Sequence, residues 1–435
     1  MEYHAEPLDT YNWAREMSRK HLQDPVHAKE QGKLIVAGPM QFPKELLAAV
    51  SDFVYCAAEP WSMVASRDGE SDSLTSRCLE ESKRQGFQQD MCSYMRLYWG
   101  DVLLHKNPWG SLLKPDLIVF QADCDSRAKW FQGICEYVNV PWYCVEGTFH
   151  RLDSTLTPKE HAVMYLMEQY EEFIQWLIKL TGKPYREDSL IEALANSYRS
   201  RAYWGEIMQL QSHIPAPLDY RLLLPFYMAV ETYPQEEESA RMLGALRDEV
   251  KHRIANGIAP VPNEKKRVTH EGITPRYAFE LLNYFRQRGV TVLGGAHHLG
   301  FISVVQKQRS DGSFHPEDPV DWAGVPKTKE EGLRFKAMHQ FYVEKMSLDT
   351  KVRIMLTQGA LRYWKADGAI FMLDRGCRFF HMGQPEVQAA VQRSGKPTMF
   401  YETDRVDSIG WVWEQIQDTA DTFLESLGVP RKPVR

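Results

Sequence analysis

Pro115-Asp116-Leu117-Ile118-Val119-Phe120-Gln121-Ala122-Asp123-Cys124-Asp125 and Ala366-Asp367-Gly368-Ala369-Ile370-Phe371-Met372-Leu373-Asp374-Arg375-Gly376-Cys377-Arg378 are two copies of one design. Each is an aspartate-led apolar run of strand length that ends in a second aspartate and delivers a cysteine into the following loop. Open α/β sheets bind their ligands outside the carboxyl ends of the strands. Two such cysteines, in opposite halves of the chain, are therefore placed to meet across a crevice between two sheets.

Working outward from these stretches, strands alternate with helices on both sides, which predicts mainly parallel sheets. Lys33-Leu34-Ile35-Val36-Ala37 reads as a strand leading into Gly38-Pro39 and a helix over residues 43–50, and Phe53-Val54-Tyr55-Cys56 as a second strand. Asp90 is placed to cap a helix running to His105. Residues 126–137 read as a helix, and Val140-Pro141-Trp142-Tyr143-Cys144-Val145 as a strand. Around the second stretch, Val290-Thr291-Val292-Leu293 and residues 398–402 are strands, with helices over residues 348–365, 385–393 and 411–427. The middle differs: Thr157-Pro158-Lys159-Glu160 is a capping box, behind which Val163, Leu166, Met167, Tyr170, Ile174, Leu177 and Ile178 fall on one helical face. The expected organisation is an N-terminal helical arm (1–32), a first α/β domain (33–150), a helical region (151–262) and a second α/β domain (263–435). The two α/β domains are expected to be Rossmann- or flavodoxin-like, with the functional site in the cleft between them.

The 435 residues are 43% hydrophobic and 25% charged, the composition of a soluble globular protein, and a formal net charge of -6 without a Lys/Arg run argues against a nucleic-acid partner. The acidic, polar start Met1-Glu2-Tyr3-His4-Ala5-Glu6 is unlike a signal peptide, and no stretch has the ~20 apolar residues that cross a bilayer, so a cytoplasmic protein without membrane contact is expected. Seven cysteines without a CxxC pair are neither a disulfide framework nor a local zinc or ferredoxin motif. A metal site has to be assembled by the fold.

Cys124 and Cys377 leave strands at equivalent places, and Cys92 stands at a predicted helix start, where the dipole and free N–H groups favour a thiolate. Three thiolates from three loops can hold an iron–sulfur cluster; for any one of them alone an inert buried thiol is the commoner reading. Cys56, Cys78, Cys135 and Cys144 read as core. Gly294-Gly295-Ala296-His297-His298 follows a strand, and His297 and His298 are candidate proton donors or substrate contacts, or part of a plain loop. P-loop, GxSxG and HExxH motifs are absent from the sequence. Aromatic residues make up 12% of the chain, and Tyr94, Tyr98, Trp99, Trp109, Trp130, Phe131 and Trp142 gather near the first two candidate ligands. They suit a dry pocket for a flat apolar substrate, although most are core.

Gly38-Pro39 with Pro43-Lys44-Glu45-Leu46-Leu47-Ala48-Ala49, then Cys92-Ser93-Tyr94-Met95-Arg96, Asp123-Cys124-Asp125, Gly376-Cys377-Arg378 and Glu402-Thr403-Asp404-Arg405-Val406-Asp407 occur in the order seen in the 2-hydroxyacyl-CoA dehydratase / benzoyl-CoA reductase family, which the chain resembles over residues 33–410. Within that family, length and aromatic content look most similar to the B subunit of benzoyl-CoA reductase. The resemblance implies a 4Fe-4S cluster bound by Cys92, Cys124 and Cys377, a homologous cluster-binding sister subunit, and an ATP-hydrolysing activator pair with ferredoxin as upstream electron donor. It further implies an oxidoreductase of anaerobic aromatic catabolism, reducing the ring of an aromatic acyl-CoA by two electrons. The alternatives are a 2-hydroxyacyl-CoA dehydratase subunit, which eliminates water with a recycled electron, and a non-catalytic scaffold whose cysteines are core thiols. The chain departs from the family pattern at Ser408-Ile409-Gly410-Trp411, which lacks an arginine, and at Thr269-His270-Glu271-Gly272, in place of Ser-Gly.

Overall fold

A computed structural model of the chain describes residues 3–28, 30–65, 73–105, 114–147, 159–300 and 315–431. The first half runs α1 (Thr10–Ala28), β1 (Leu34–Gly38), β2 (Phe53–Ala57), α2 (Ala58–Ala65), α3 (Leu74–Arg84), α4 (Ser93–Leu104), β3 (Leu117–Ala122), α5 (Asp125–Val138) and β4 (Trp142–Glu146). Helices follow: α6 (Glu160–Thr181), α7 (Glu187–Leu210), the short α8 (Tyr220–Leu223) and α9 (Tyr227–Glu231), and α10 (Glu237–Asn256). The second half comprises β5 (Lys266–Glu271), α11 (Phe279–Gln287), β6 (Val290–Val292), α12 (Ala296–Gly300), α13 (Lys329–Leu348), α14 (Thr350–Tyr363), β7 (Gly368–Asp374), α15 (Arg378–His381), α16 (Gln384–Arg393), β8 (Thr398–Thr403) and α17 (Trp413–Ser426).

The strands form two four-stranded sheets, of order β2-β1-β3-β4 and β6-β5-β7-β8, all pairs parallel. The expected pair of Rossmann/flavodoxin-like sheets is thus present, with the same strand order in each. Strands buried on both faces carry continuous apolar runs, and these do. Val36, Leu117 and Val119 face Leu166, Tyr170, Phe173 and Leu177 of α6, while Ile118 and Phe120 face Trp130, Phe131 and Ile134 of α5 on the other side. In the second sheet, Ile370 and Met372 pack with Phe423 and Leu424 of α17, and Ala369 and Phe371 with Val387 and Val391 of α16. Each fully buried Val, Leu, Ile or Phe contributes about 1.5–3 kcal/mol.

The leading aspartates of the two signature stretches perform one task. Asp116 donates its N–H to the Ile35 carbonyl (2.8 Å) and accepts the Ile35 N–H on its carboxylate (2.8 Å). Asp367 does the same to Arg267, at 2.8 and 3.0 Å. Each fixes the register of its strand against the central neighbour, and so the height at which the cysteine-bearing loop emerges at the far end.

Several local expectations are refined or corrected. The helix expected over residues 43–50 is present as a 3-10 helix over Lys44–Ala49. Its Lys44 donates to the carbonyls of Met40 and Glu231, and its Glu45 pairs with Lys336 at 2.9 Å, so this motif belongs to a buried polar network. The N-cap of α4 is Cys92 rather than Asp90, which lies 3.7 Å from Arg378. Trp142 is on an edge strand and 53% exposed. Helix α6 starts at Glu160 behind Lys159; Thr157 and Pro158 of the capping box, and Trp109, lie outside the described residues. No helix among the described residues is long and apolar enough to cross a membrane.

Candidate metal site at the carboxyl ends of the two sheets

All three candidate cysteines are helix N-caps: Cys92 of α4, Cys124 of α5 and Cys377 of α15. Each enters from the carboxyl-end side of its sheet, at or beside the point where strand order reverses. Gly376 shows how closely the loops meet. A Cβ there would lie 2.5 Å from the Met91 carbonyl oxygen and 3.3 Å from Cys92 Cα, so the loop after β7 rests directly on the backbone before α4. Cys377 also lies within electrostatic reach of both Cys92 and Cys124.

Burial, rather than the helix dipole, sets the state of these thiols. It pushes Cys124 up to about 12 and raises Cys92 and Cys377 above the ordinary thiol range, Arg127 and Arg405 only partly opposing it. The expectation of activated thiolates is corrected accordingly: free, these groups are neutral, and a metal could take them as ligands only by displacing their protons.

Arg405 brings a cation to Cys377 Sγ. Its guanidinium sits 5.4 Å from each of the Tyr94 and Phe380 ring centroids, its Nη2 donates to Cys377 Sγ at 3.3 Å, and its Nε is 2.7 Å from Asp374 Oδ2. Asp374 also accepts the Gly376 N–H at 3.1 Å, which turns the loop toward Cys377. On the other sheet the equivalent aspartate, Asp123, is held by Arg127 at 2.5 Å, and Arg127 reaches Glu59 at 3.1 Å. Both signature strands therefore end in a buried Asp–Arg pair beside a cysteine. One ligand atom from each of Asp374, Cys377 and His381 falls within 4.8 Å of the others, a group able to hold a metal ion. His381 Nδ1 is 3.1 Å from the Cys377 carbonyl, and its buried Nε2 has no hydrogen-bond partner among the described residues.

The two candidate histidines separate. His298 Nδ1 accepts the Gly295 N–H at 3.0 Å, and its ring meets Tyr220 and Tyr227 edge-on, with burial pushing it down to about 3. It is a neutral core residue. His297 lies 6.3 Å from the Phe380 ring, within reach of the charge of Arg405, and its buried Nε2 has no partner among the described residues. Burial keeps it neutral as well, so its Nε2 is free to make a hydrogen bond but the ring holds no proton as an imidazolium.

Sequence reasoning missed Arg127, His381 and the role of Arg405. Arg127 follows Asp123, and His381 follows Cys377, by four residues, a helical spacing that brings such pairs together. Arg405 reaches the site from the loop after β8, and its motif, residues 402–407, carries no sign of what the guanidinium meets.

Two parallel sheets whose carboxyl ends bring buried thiols, aspartates and arginines together define an α/β protein with a candidate metal centre. Comparison with known proteins sharpens this: the chain belongs to the family described as 2-hydroxyglutaryl-CoA dehydratase, D-component, which matches residues 39–427. It is 20% identical to lactoyl-CoA dehydratase subunit alpha of Anaerotignum propionicum, over 88% of each chain. It is 22% identical to the (R)-2-hydroxyisocaproyl-CoA dehydratase alpha subunit of Clostridioides difficile, over 93% of each. The B subunit of benzoyl-CoA reductase from Thauera aromatica is 21% identical over 81% of this chain and 80% of its own.

The expectation of a benzoyl-CoA reductase component, and with it an oxidoreductase of aromatic catabolism acting on an aromatic acyl-CoA, is therefore corrected: the family is a dehydratase family, and the lactoyl-CoA and 2-hydroxyisocaproyl-CoA dehydratase alpha subunits align over more of the chain than the reductase subunit does. Aromatic content misled because the rings pack against one another. Trp130 contacts Tyr98 and Phe131, and Trp61 contacts Tyr98, within the core of the first sheet.

Proposed function

We propose that the chain is the cluster-bearing subunit of a 2-hydroxyacyl-CoA dehydratase, with a 4Fe-4S cluster held by Cys92, Cys124 and Cys377. The observations that carry this reading are that all three cysteines cap helices, that the loop of Cys377 rests on the backbone at Cys92, and that Cys377 lies within electrostatic reach of both Cys92 and Cys124, in a chain whose relatives are named acyl-CoA dehydratase subunits.

The residues fit such a group. Thiolates are the soft donors that iron–sulfur clusters take. Asp374 is engaged by Arg405 and the Gly376 N–H, which leaves Cys377 as the donor of its loop. Arg405 offsets negative charge that three thiolates would bring into a buried space. Bound there, a cluster would supply one electron, returned at the end of each turnover, and a Lewis-acidic iron. The chain's own residues do the rest: Tyr94 and Phe380 keep water away, Arg405 steadies the Cys377 sulfur, and neutral His297 offers a hydrogen bond to an oxygen of the substrate. The relatives are alpha and beta subunits, and beside this chain we place a homologous second subunit and an ATP-hydrolysing activator fed by ferredoxin.

Anaerobic purification with iron and acid-labile sulfide assays tests the ligand set. Cys92→Ser, Cys124→Ser and Cys377→Ser are each expected to lose most of the bound iron, and Cys135→Ser to keep it; retention of the cluster in all three would refute the assignment. For the reaction, the co-expressed complex should dehydrate a 2-hydroxyacyl-CoA while consuming far less than one equivalent of reductant per turnover. Stoichiometric consumption would sink the dehydratase reading.

A further inference from the structure

A cleft of about 420 Å³ opens on the side of the site where α1 meets the second half of the chain. Its rim carries four arginines: Arg15 and Arg19 from α1, Arg221 from α8, and Arg276 from the turn after β5. Its inner wall includes Tyr94 and Arg405, the ring and guanidinium beside Cys377. The cleft therefore runs from an exposed basic rim to the thiol site.

The rim charges are not accounted for by the chain. Among the described residues no carboxylate pairs with any of the four. Arg221 donates to the neutral Asn283, and Arg15 lies over the Tyr11 ring, 5.9 Å from its centroid. Burial first, and then the charges of Arg15 and Arg221, hold the pKa of Arg276 below its ordinary value, so the three cations lie within electrostatic reach of one another. A chain with a net charge of -6 has carboxylates to spare, yet places none here. Unpaired guanidiniums around one opening fit a ligand that carries several negative charges, and forked guanidinium donors match phosphate oxygens in particular.

We propose that this rim binds the phosphates of the coenzyme A moiety, so that the pantetheine arm descends the cleft and delivers the thioester to Tyr94 and Arg405. The proposal rests on the acyl-CoA reading above. It gives α1 a function: two of the four cations come from it.

The test is equilibrium binding to the full chain of CoA, 3′-dephospho-CoA, pantetheine and adenosine 3′,5′-bisphosphate, for the wild type, Arg15→Ala, Arg276→Ala and the double variant. These are exposed positions, and unchanged thermal melting of the variants establishes that they fold. Loss of one charge-assisted phosphate contact is expected to weaken CoA about tenfold, and the double variant more. Affinity for CoA should fall as salt rises, adenosine 3′,5′-bisphosphate should compete with it, and pantetheine should bind all four proteins alike. The proposal is overturned if CoA binds the double variant within a factor of about two of wild type, if the wild type binds CoA no better than pantetheine, or if a correctly melting wild type binds no CoA. If the arginine variants behave as expected but the complex dehydrates no 2-hydroxyacyl-CoA, the function reading falls and this site stands. Dehydration with unaltered CoA binding in the variants gives the reverse.

Discussion

Arg405 carries a buried positive charge between Cys377 and Asp374, and its removal tests how far that pocket depends on it. Arg405→Met leaves the Asp374 carboxylate buried without its cation, so urea unfolding should show a loss of about 3–5 kcal/mol, the usual cost of stranding one partner of a buried pair. Asp101 is the opposite case. It is buried in α4, neither carboxylate oxygen has a partner among the described residues, and burial pushes its pKa up to about 8. Because the folded chain holds this proton while the unfolded chain releases it near pH 4, stability contributed by the neutral form is lost as pH rises from about 4 to 8, by up to about 1.4 kcal/mol per unit. Asp101→Asn should flatten that slope and raise the melting temperature most at pH 8; an unchanged slope would show that Asp101 is charged in the folded chain.

Among the elements, the two aspartate clamps make paired predictions. Asp116→Ala and Asp367→Ala each leave a strand N–H without its carboxylate, at a cost of about 1–3 kcal/mol in chemical denaturation. Gly376→Ala drives a methyl group into the Met91 carbonyl and should cost a further ~1–3 kcal/mol, with a larger effect on iron retention than on folding, because it pries apart the loops of Cys92 and Cys377. Much of this level was legible in the sequence. Apolar runs between turn residues located the strands that bear the cysteines, and the face of α6 was written in the spacing of Val163, Leu166, Tyr170, Ile174 and Leu177. What was not legible depends on contacts distant along the chain. The α4 N-cap was misassigned because Asp90 is a better capping residue than cysteine, and tertiary contacts decided. Arg405 over Tyr94, Lys336 against Glu45, and the rim drawn from α1, α8 and the turn after β5 arise only when the halves meet.

At the scale of the whole molecule, α1 is stitched to α10 by Thr10, whose N–H and hydroxyl both reach Glu249, and by Trp13 on Glu238. Deleting residues 1–28 removes buried Leu8 and Met17, at about 1.5–3 kcal/mol each, together with Arg15 and Arg19. Calorimetry should register a less stable protein, and binding measurements a weaker hold on CoA; a truncated chain with wild-type affinity would place the phosphates elsewhere. The division of the three cysteines between the sheets has a consequence for biogenesis. Cys92 and Cys124 belong to the first sheet and Cys377 to the second, so neither half alone offers the three proposed ligands. With the proposed ligand set, a nascent chain cannot complete the site until Cys377 has been synthesised and the two halves have closed on each other, and iron uptake during refolding becomes a clock for that closure.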